Sequence, residues 1–237
     1  MTASPTSQLT DVTRTVTPAP GGYVVALSQT FAVHPEELWS ALTIGSHLEV
    51  WFGRASGEVV EGGRYELPDM ETRGTVLAAE EPHRLLLTWE FGNTSKEMEL
   101  LVEPVEPDPS EVAEPDTAPA SDAAAQPVAA APPVATRFTL RHTVPADAHW
   151  QTFGPAATGC GWDAALYALA LHLEDPSADQ LPRLSRFAAS PEGADFTRAT
   201  ADAWFEAHVA SGADKKPARK ASVRTAAFYL GEEPELS

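Results

Sequence analysis

Tyr23, Val25 and Leu27, followed by Phe31 and Val33, fall at alternate positions, which is the two-residue period of a half-buried strand. His34-Pro35-Glu36-Glu37 then opens a helix: Pro35 suits the first turn, and the two glutamates complement the positive end of the helix dipole. Leu38, Trp39 and Leu42, with the later Leu48, Trp51 and Phe52, supply an apolar side, and Gly45-Ser46 divides it into two short helices. The stretch Thr30 to Phe52 therefore reads as strand end, helix, break and second helical turn, and the rest of the chain is organised around it.

Five strand-like segments follow: Ala55–Val60, Gly63–Leu67, Thr72–Glu80, Arg84–Phe91 and Lys96–Glu103. Turn residues such as Gly62-Gly63, Pro68-Asp69, Pro82-His83 and Gly92-Asn93 separate them, and connections this short imply an antiparallel meander. From about 105 to 133 the chain is low-complexity Pro, Ala and acid, and reads as a disordered insertion in a hairpin, because strand periodicity resumes at Ala135–Val144. A long helix follows from Gly154-Pro155 to Asp175-Pro176, with Trp162, Ala165, Leu166, Leu169, Ala170 and Leu173 recurring at helical steps and Gly159 and Gly161 weakening its first turns.

The outer parts of the chain complete a three-part organisation. Residues 1–21, rich in Ser, Thr and Pro, read as a flexible arm; 22–175 form the main domain; 176–237 form a helical extension docked on it. Ser190-Pro191 caps one helix of that extension, and Phe228, Tyr229 and Leu230 end it as a hydrophobic anchor.

Composition narrows the function classes. A formal net charge of -18 argues against a nucleic-acid partner or an anionic-membrane surface. One cysteine, Cys160, excludes an intramolecular disulfide and a zinc-thiolate cluster, and the seven histidines lack metal-ligand spacing. No apolar run approaches the roughly 18 residues of a membrane span, and the N-terminus carries no signal-peptide pattern. The expectation is a cytoplasmic protein with no metal and no cofactor.

The order of elements resembles the helix-grip fold of the SRPBCC superfamily, and within it the bacterial homologues of the heat-shock-protein-90 ATPase activator. The resembling residues are Val33 to Trp39, Trp51-Phe52, Gly62 to Tyr65, Arg84 to Trp89 and Gly159 to Trp162. The resemblance implies an α+β fold in which a curved antiparallel sheet wraps a long C-terminal helix over a cavity. The acidic insertion and the tail beyond Asp175 depart from a minimal domain of this kind. Nothing here resembles the separate N-terminal domain through which the eukaryotic activators contribute to chaperone stimulation.

Strand alternation selects the inward residues: Leu85, Leu87, Trp89 and Phe91; Met98, Leu100 and Val102; Phe138 and Leu140. Of these, Leu87, Trp89, Phe91, Met98, Leu100, Phe138 and Leu140, with Trp39, Trp51, Phe52, Trp162, Leu166 and Leu169, form an expected pocket for a hydrophobic or amphipathic small molecule, or alternatively a filled aromatic core. A chaperone-linked interaction protein and a cavity enzyme are the competing readings. For the enzyme, Arg64, Tyr65, Glu66, Thr88, Glu90, Arg137 and Arg141 are the polar candidates, with no acid–base pair assignable from spacing.

Overall fold

In chain order the elements are α1 (Pro5–Asp11), β1 (Thr13–Ala19), β2 (Gly22–Phe31), α2 (Pro35–Thr43), α3 (Gly45–Trp51), β3 (Ser56–Gly57), β4 (Arg64–Leu67), β5 (Thr72–Glu80), β6 (Arg84–Phe91), β7 (Thr94–Val105), β8 (Ala135–Pro145), α4 (Ala148–Phe153), α5 (Ala156–Glu174), α6 (Leu181–Ala188), α7 (Pro191–Ala210) and α8 (Lys215–Leu230). The computed structural model describes residues 3–92, 94–106 and 134–234. Apart from Val105 and Glu106, the expected insertion of about 105–133 lies outside the described residues.

The strands make one antiparallel sheet in the order β1-β2-β8-β7-β6-β5-β4-β3. The hairpin reading across the insertion holds: β7 and β8 pair in register, Leu100 opposite Leu140 and Val105 opposite Ala135. One face of each central strand is buried, as alternation requires; Met98, Leu100 and Val102 point inward while Glu97 and Glu99 do not. The outer face carries cross-strand ion pairs, with Glu99 between Arg84 (2.8 Å) and Arg141 (3.2 Å). The architecture is the expected α+β helix grip: an antiparallel sheet holding α5, with α2 and α3 at one end.

Two sequence expectations need correction. Residues 5–19 are not a flexible arm. They form α1, capped by Ser4, and β1, which pairs with β2 from Thr13–Ser28 to Ala19–Gly22. Their polar composition concealed three anchors: the buried Gln8 and Gln29 side-chain amides exchange hydrogen bonds (2.9 and 3.2 Å), Val12 and Val16 enter the core, and Arg14 pairs with Asp163. The segment Ala55–Val60 is strand only at Ser56–Gly57, since the chain turns at Gly57, whose φ of 115° is open to glycine alone at little strain.

Helix α5 is largely apolar and buried on more than one side, with Gly161 and Ala164 among its few exposed positions. Trp162, Leu166 and Leu169 meet the core, while Tyr167 and Leu171 form a second cluster with Phe196 of α7. Helix α7 seats Trp204, which is fully buried, over Gly159; a Cβ there would lie 2.1 Å from the indole. The glycine thus makes room for a side chain rather than weakening a turn. In α8, Tyr229 O–H donates to the Ala157 carbonyl at 2.9 Å, but Phe228 is 73% exposed and anchors nothing by burial.

Candidate functional site: an apolar cavity between sheet and helix

Trp162, Ala165 and Leu166 of α5 and the inner sheet face line a cavity of about 130 Å³, with exposed residues Ser56 and Gly57 at its edge. Helix α3 closes one side. It is fixed to α2 by Trp51 Nε1–H donating to the Ala41 carbonyl (3.1 Å), and its last turn is fixed to the start of the tail by Gln180 N–H donating to the Val50 carbonyl (2.8 Å). Phe52 stacks parallel to Trp162 with centroids 6.3 Å apart, and Trp89 meets Trp162 edge-on at 5.1 Å. Three indole or phenyl rings from α3, β6 and α5 therefore converge on one wall.

Among the described residues, Tyr65 is the sole titratable side chain on that wall, and its hydroxyl donates to the Thr88 carbonyl at 2.6 Å. Burial holds this phenol well above its ordinary range. Behind Trp162 lies His142. Its Nδ1 accepts from the indole N–H at 3.1 Å, and its Nε2 has no protein partner. Burial, aided by the Lys96 charge, pushes the imidazole down to about 4, so it is neutral at pH 7.

Of the expected pocket residues, the structure places Trp51, Phe52, Leu87, Trp89, Met98, Leu100, Phe138, Leu140, Trp162 and Leu166 on this wall. Three stand elsewhere. Phe91 shares the inward face by alternation but lies at the end of β6, beyond the rim and 55% exposed. Trp39 is buried in the core and lines a different groove, with Val59 and Ala79. Leu169 sits a turn past Leu166, in solid core. Sequence reasoning missed Leu42, Leu48, Leu67 and Val76, and counted Tyr65 only among the polar candidates of a cavity enzyme. Val76 was legible from alternation in β5, whereas Leu42 and Leu48 carried only the helical apolar pattern.

The polar candidates do not gather in the cavity. Arg64 and Glu90 pair at 3.2 Å toward solvent, and Thr88 Oγ1 donates to Glu90 at 3.0 Å. The Cys160 thiol is pushed up to about 12 by burial, the opposite of an activated nucleophile. Among the described residues no three His, Cys, Asp or Glu side chains come together as metal ligands, and no described helix is long and apolar enough to cross a membrane.

Comparison with known proteins places this geometry. The family model described as Activator of Hsp90 ATPase homolog 1-like protein matches residues 32–121. No curated protein sequence matches significantly. Among solved structures, the solution structure of CalU16 from Micromonospora echinospora is 21% identical with a TM-score of 0.60, covering 85% of this chain and 97% of that one. A conserved protein of unknown function from Enterococcus faecalis, EF2215, is 16% identical with a TM-score of 0.55, covering 88% and 96%. At such identities these two establish a shared fold. The chain therefore shares the helix-grip fold of these structures, and over residues 32–121 it is similar to the Activator of Hsp90 ATPase homolog 1-like family.

Proposed function

We propose that this protein is a binding module for a small apolar or amphipathic molecule held between the sheet and α5. The observation that carries the reading is the aromatic-walled cavity of about 130 Å³ with, among the described residues, a single titratable group on it. An apolar cavity of about 150 Å³ takes up one benzene. In this conformation the site therefore suits a single ring or a short branched chain, and a larger ligand requires α3 to move outward with Phe52. The wall supplies no acid–base pair, which favours binding over catalysis.

The test is a thermal-shift screen of the purified chain against single-ring aromatics, short fatty acids, long fatty acids, sterols and polycyclic aromatics. Single-ring or short-chain compounds are expected to raise the melting temperature, with saturation. A flat response across the panel overturns the proposal.

A second reading, a chaperone-linked interaction protein, rests on the exposed Phe228 against Phe153 (5.8 Å) and on the similarity of residues 32–121 to the Activator of Hsp90 ATPase homolog 1-like family. Recovery of a heat-shock-protein-90 chaperone by the native chain, abolished by Phe228→Ser, supports it; equal recovery by the variant removes it.

A further inference from the structure

We propose that a second chamber, on the far side of α5 from the sheet, binds a neutral apolar molecule larger than the sheet cavity admits. It lies between α5 and the C-terminal helices and measures about 380 Å³. That is within the range of roughly 300–1,000 Å³ typical of small-molecule sites, which the sheet cavity does not reach. The space is a cleft rather than a sealed void: Gly161, Ala164 and Ala188 on its wall are exposed, so a ligand can enter from solvent.

The chemistry of the walls selects the ligand. Among the described residues no charged side chain lines the chamber. Tyr167, Phe187 and Phe196 form a ring of aromatics with centroids 5.3 to 5.9 Å apart. Three of the hydroxyls present already donate within the protein: Thr197 to Gly193 O (3.0 Å), Thr200 to Thr197 O (3.0 Å) and Tyr229 to Ala157 O (2.9 Å). A charged ligand would be desolvated against a wall that itself carries no charge, a cost that a neutral ring system avoids.

The helices are built to leave the space open. On α5 the chamber side carries Gly161, Ala164, Ala165 and Ala168, which set its floor low. Helix α6 forms the roof. It is strongly amphipathic, with Leu184 and Phe187 turned to the chamber and Arg183 and Arg186 exposed, yet none of its residues is fully buried. It spans the space rather than wedging into α5. Trp51, Phe52 and Ala165 belong to both chambers, so one layer of side chains divides them.

The proposal is tested by titrating the full chain with N-phenyl-1-naphthylamine, a neutral fluorophore of several rings. Saturable enhancement is expected in the wild type. Ala164→Trp and Thr197→Phe, which alter residues of this chamber alone, should weaken it at least tenfold, while Leu42→Phe, in the sheet cavity alone, should change it less than threefold. Melting curves by circular dichroism identify any variant that fails to fold, and Ala188→Phe, on the exposed roof, replaces it. Absence of saturable enhancement in the wild type overturns the proposal. So does enhancement that survives the chamber variants; if Leu42→Phe then abolishes it, the probe sits against the sheet, and the sheet-cavity reading stands alone.

Discussion

Arg14 and Asp163 form a buried ion pair across 149 residues of chain: the guanidinium Nη2 lies 2.6 Å from Oδ1, and Nε reaches both carboxylate oxygens at 3.0 and 3.1 Å. The Trp204 indole N–H donates to Oδ2 at 2.8 Å. One carboxylate therefore joins the first strand, the gripped helix and the C-terminal extension. Burial pushes this carboxyl up, while the guanidinium and the indole draw it back toward the ionised form. Removing one partner strands a charge in the core, so Asp163→Ala is expected to lower stability by about 3–5 kcal/mol. The double replacement Arg14→Met with Asp163→Leu should recover most of that loss. Urea denaturation of the three chains checks both statements.

The depressed His142 makes stability depend on pH. Folded, the imidazole titrates near 4 against an ordinary value of 6.5, so between those values the unfolded chain binds a proton that the folded chain does not. Its contribution is complete above pH 6.5 and is lost as the pH falls toward 4, by on the order of 3 kcal/mol. His172 and His208, also lowered by burial, act with the same sign. His142→Asn, which keeps an acceptor for the Trp162 indole, should flatten this slope without abolishing it. Denaturation midpoints measured from pH 8 to pH 4 provide the comparison.

Gly159→Ala reverses the usual sign of a helical glycine replacement. In an open helix the change would stabilise by about 1 kcal/mol. Here the new methyl would enter the Trp204 indole, and overpacking of this kind costs about 1–3 kcal/mol. Gly161→Ala, whose methyl meets only the Tyr229 hydroxyl at 3.3 Å, should fall within about 1 kcal/mol of the wild type. Thermal melts of the two variants separate the cases.

Leu140→Ala widens the sheet cavity. Stability should fall by about 2–5 kcal/mol, the range for a leucine truncated in a core. Ligands too large for the wild-type cavity should then give a greater melting shift in the variant than in the wild type. An unchanged ligand profile at lower stability would show that the cavity takes no part in binding.

Cys160 should be chemically silent in the folded protein. With the thiol pushed up to about 12, only ~1 in 10⁴ molecules carries thiolate at pH 8, roughly a thousandfold less than a free cysteine. Iodoacetamide labelling is expected to be slow in buffer and fast in urea; fast labelling in buffer would show that α7 and α8 open readily over α5.

Much of the fold was legible because its signals are local. Period-two alternation in Leu85–Leu87–Trp89, Met98–Leu100–Val102 and Phe138–Leu140 selects one sheet face wherever the strand sits, so six of the expected wall residues, Leu87, Trp89, Met98, Leu100, Phe138 and Leu140, meet at the cavity. Phe91 shows the limit of that logic. Alternation specifies the face of a strand but not where along it the covering helix stops. Trp39 and Leu169 show the same limit on helices, where an apolar stripe reports burial without saying against what.

The chain by itself determined the order of strands and helices, the antiparallel meander, the resumption of the sheet after the acidic insertion and the apolar length of α5, all of which follow from periodicity and turn chemistry within short windows. Tertiary structure alone decided that residues 5–19 belong to the fold, that Gly159 exists for Trp204, and that α5 is flanked by space on two sides. Each of these depends on residues tens to hundreds of positions apart meeting in space. A polar Arg14 reads as solvent-exposed until the Asp163 that buries it is brought alongside.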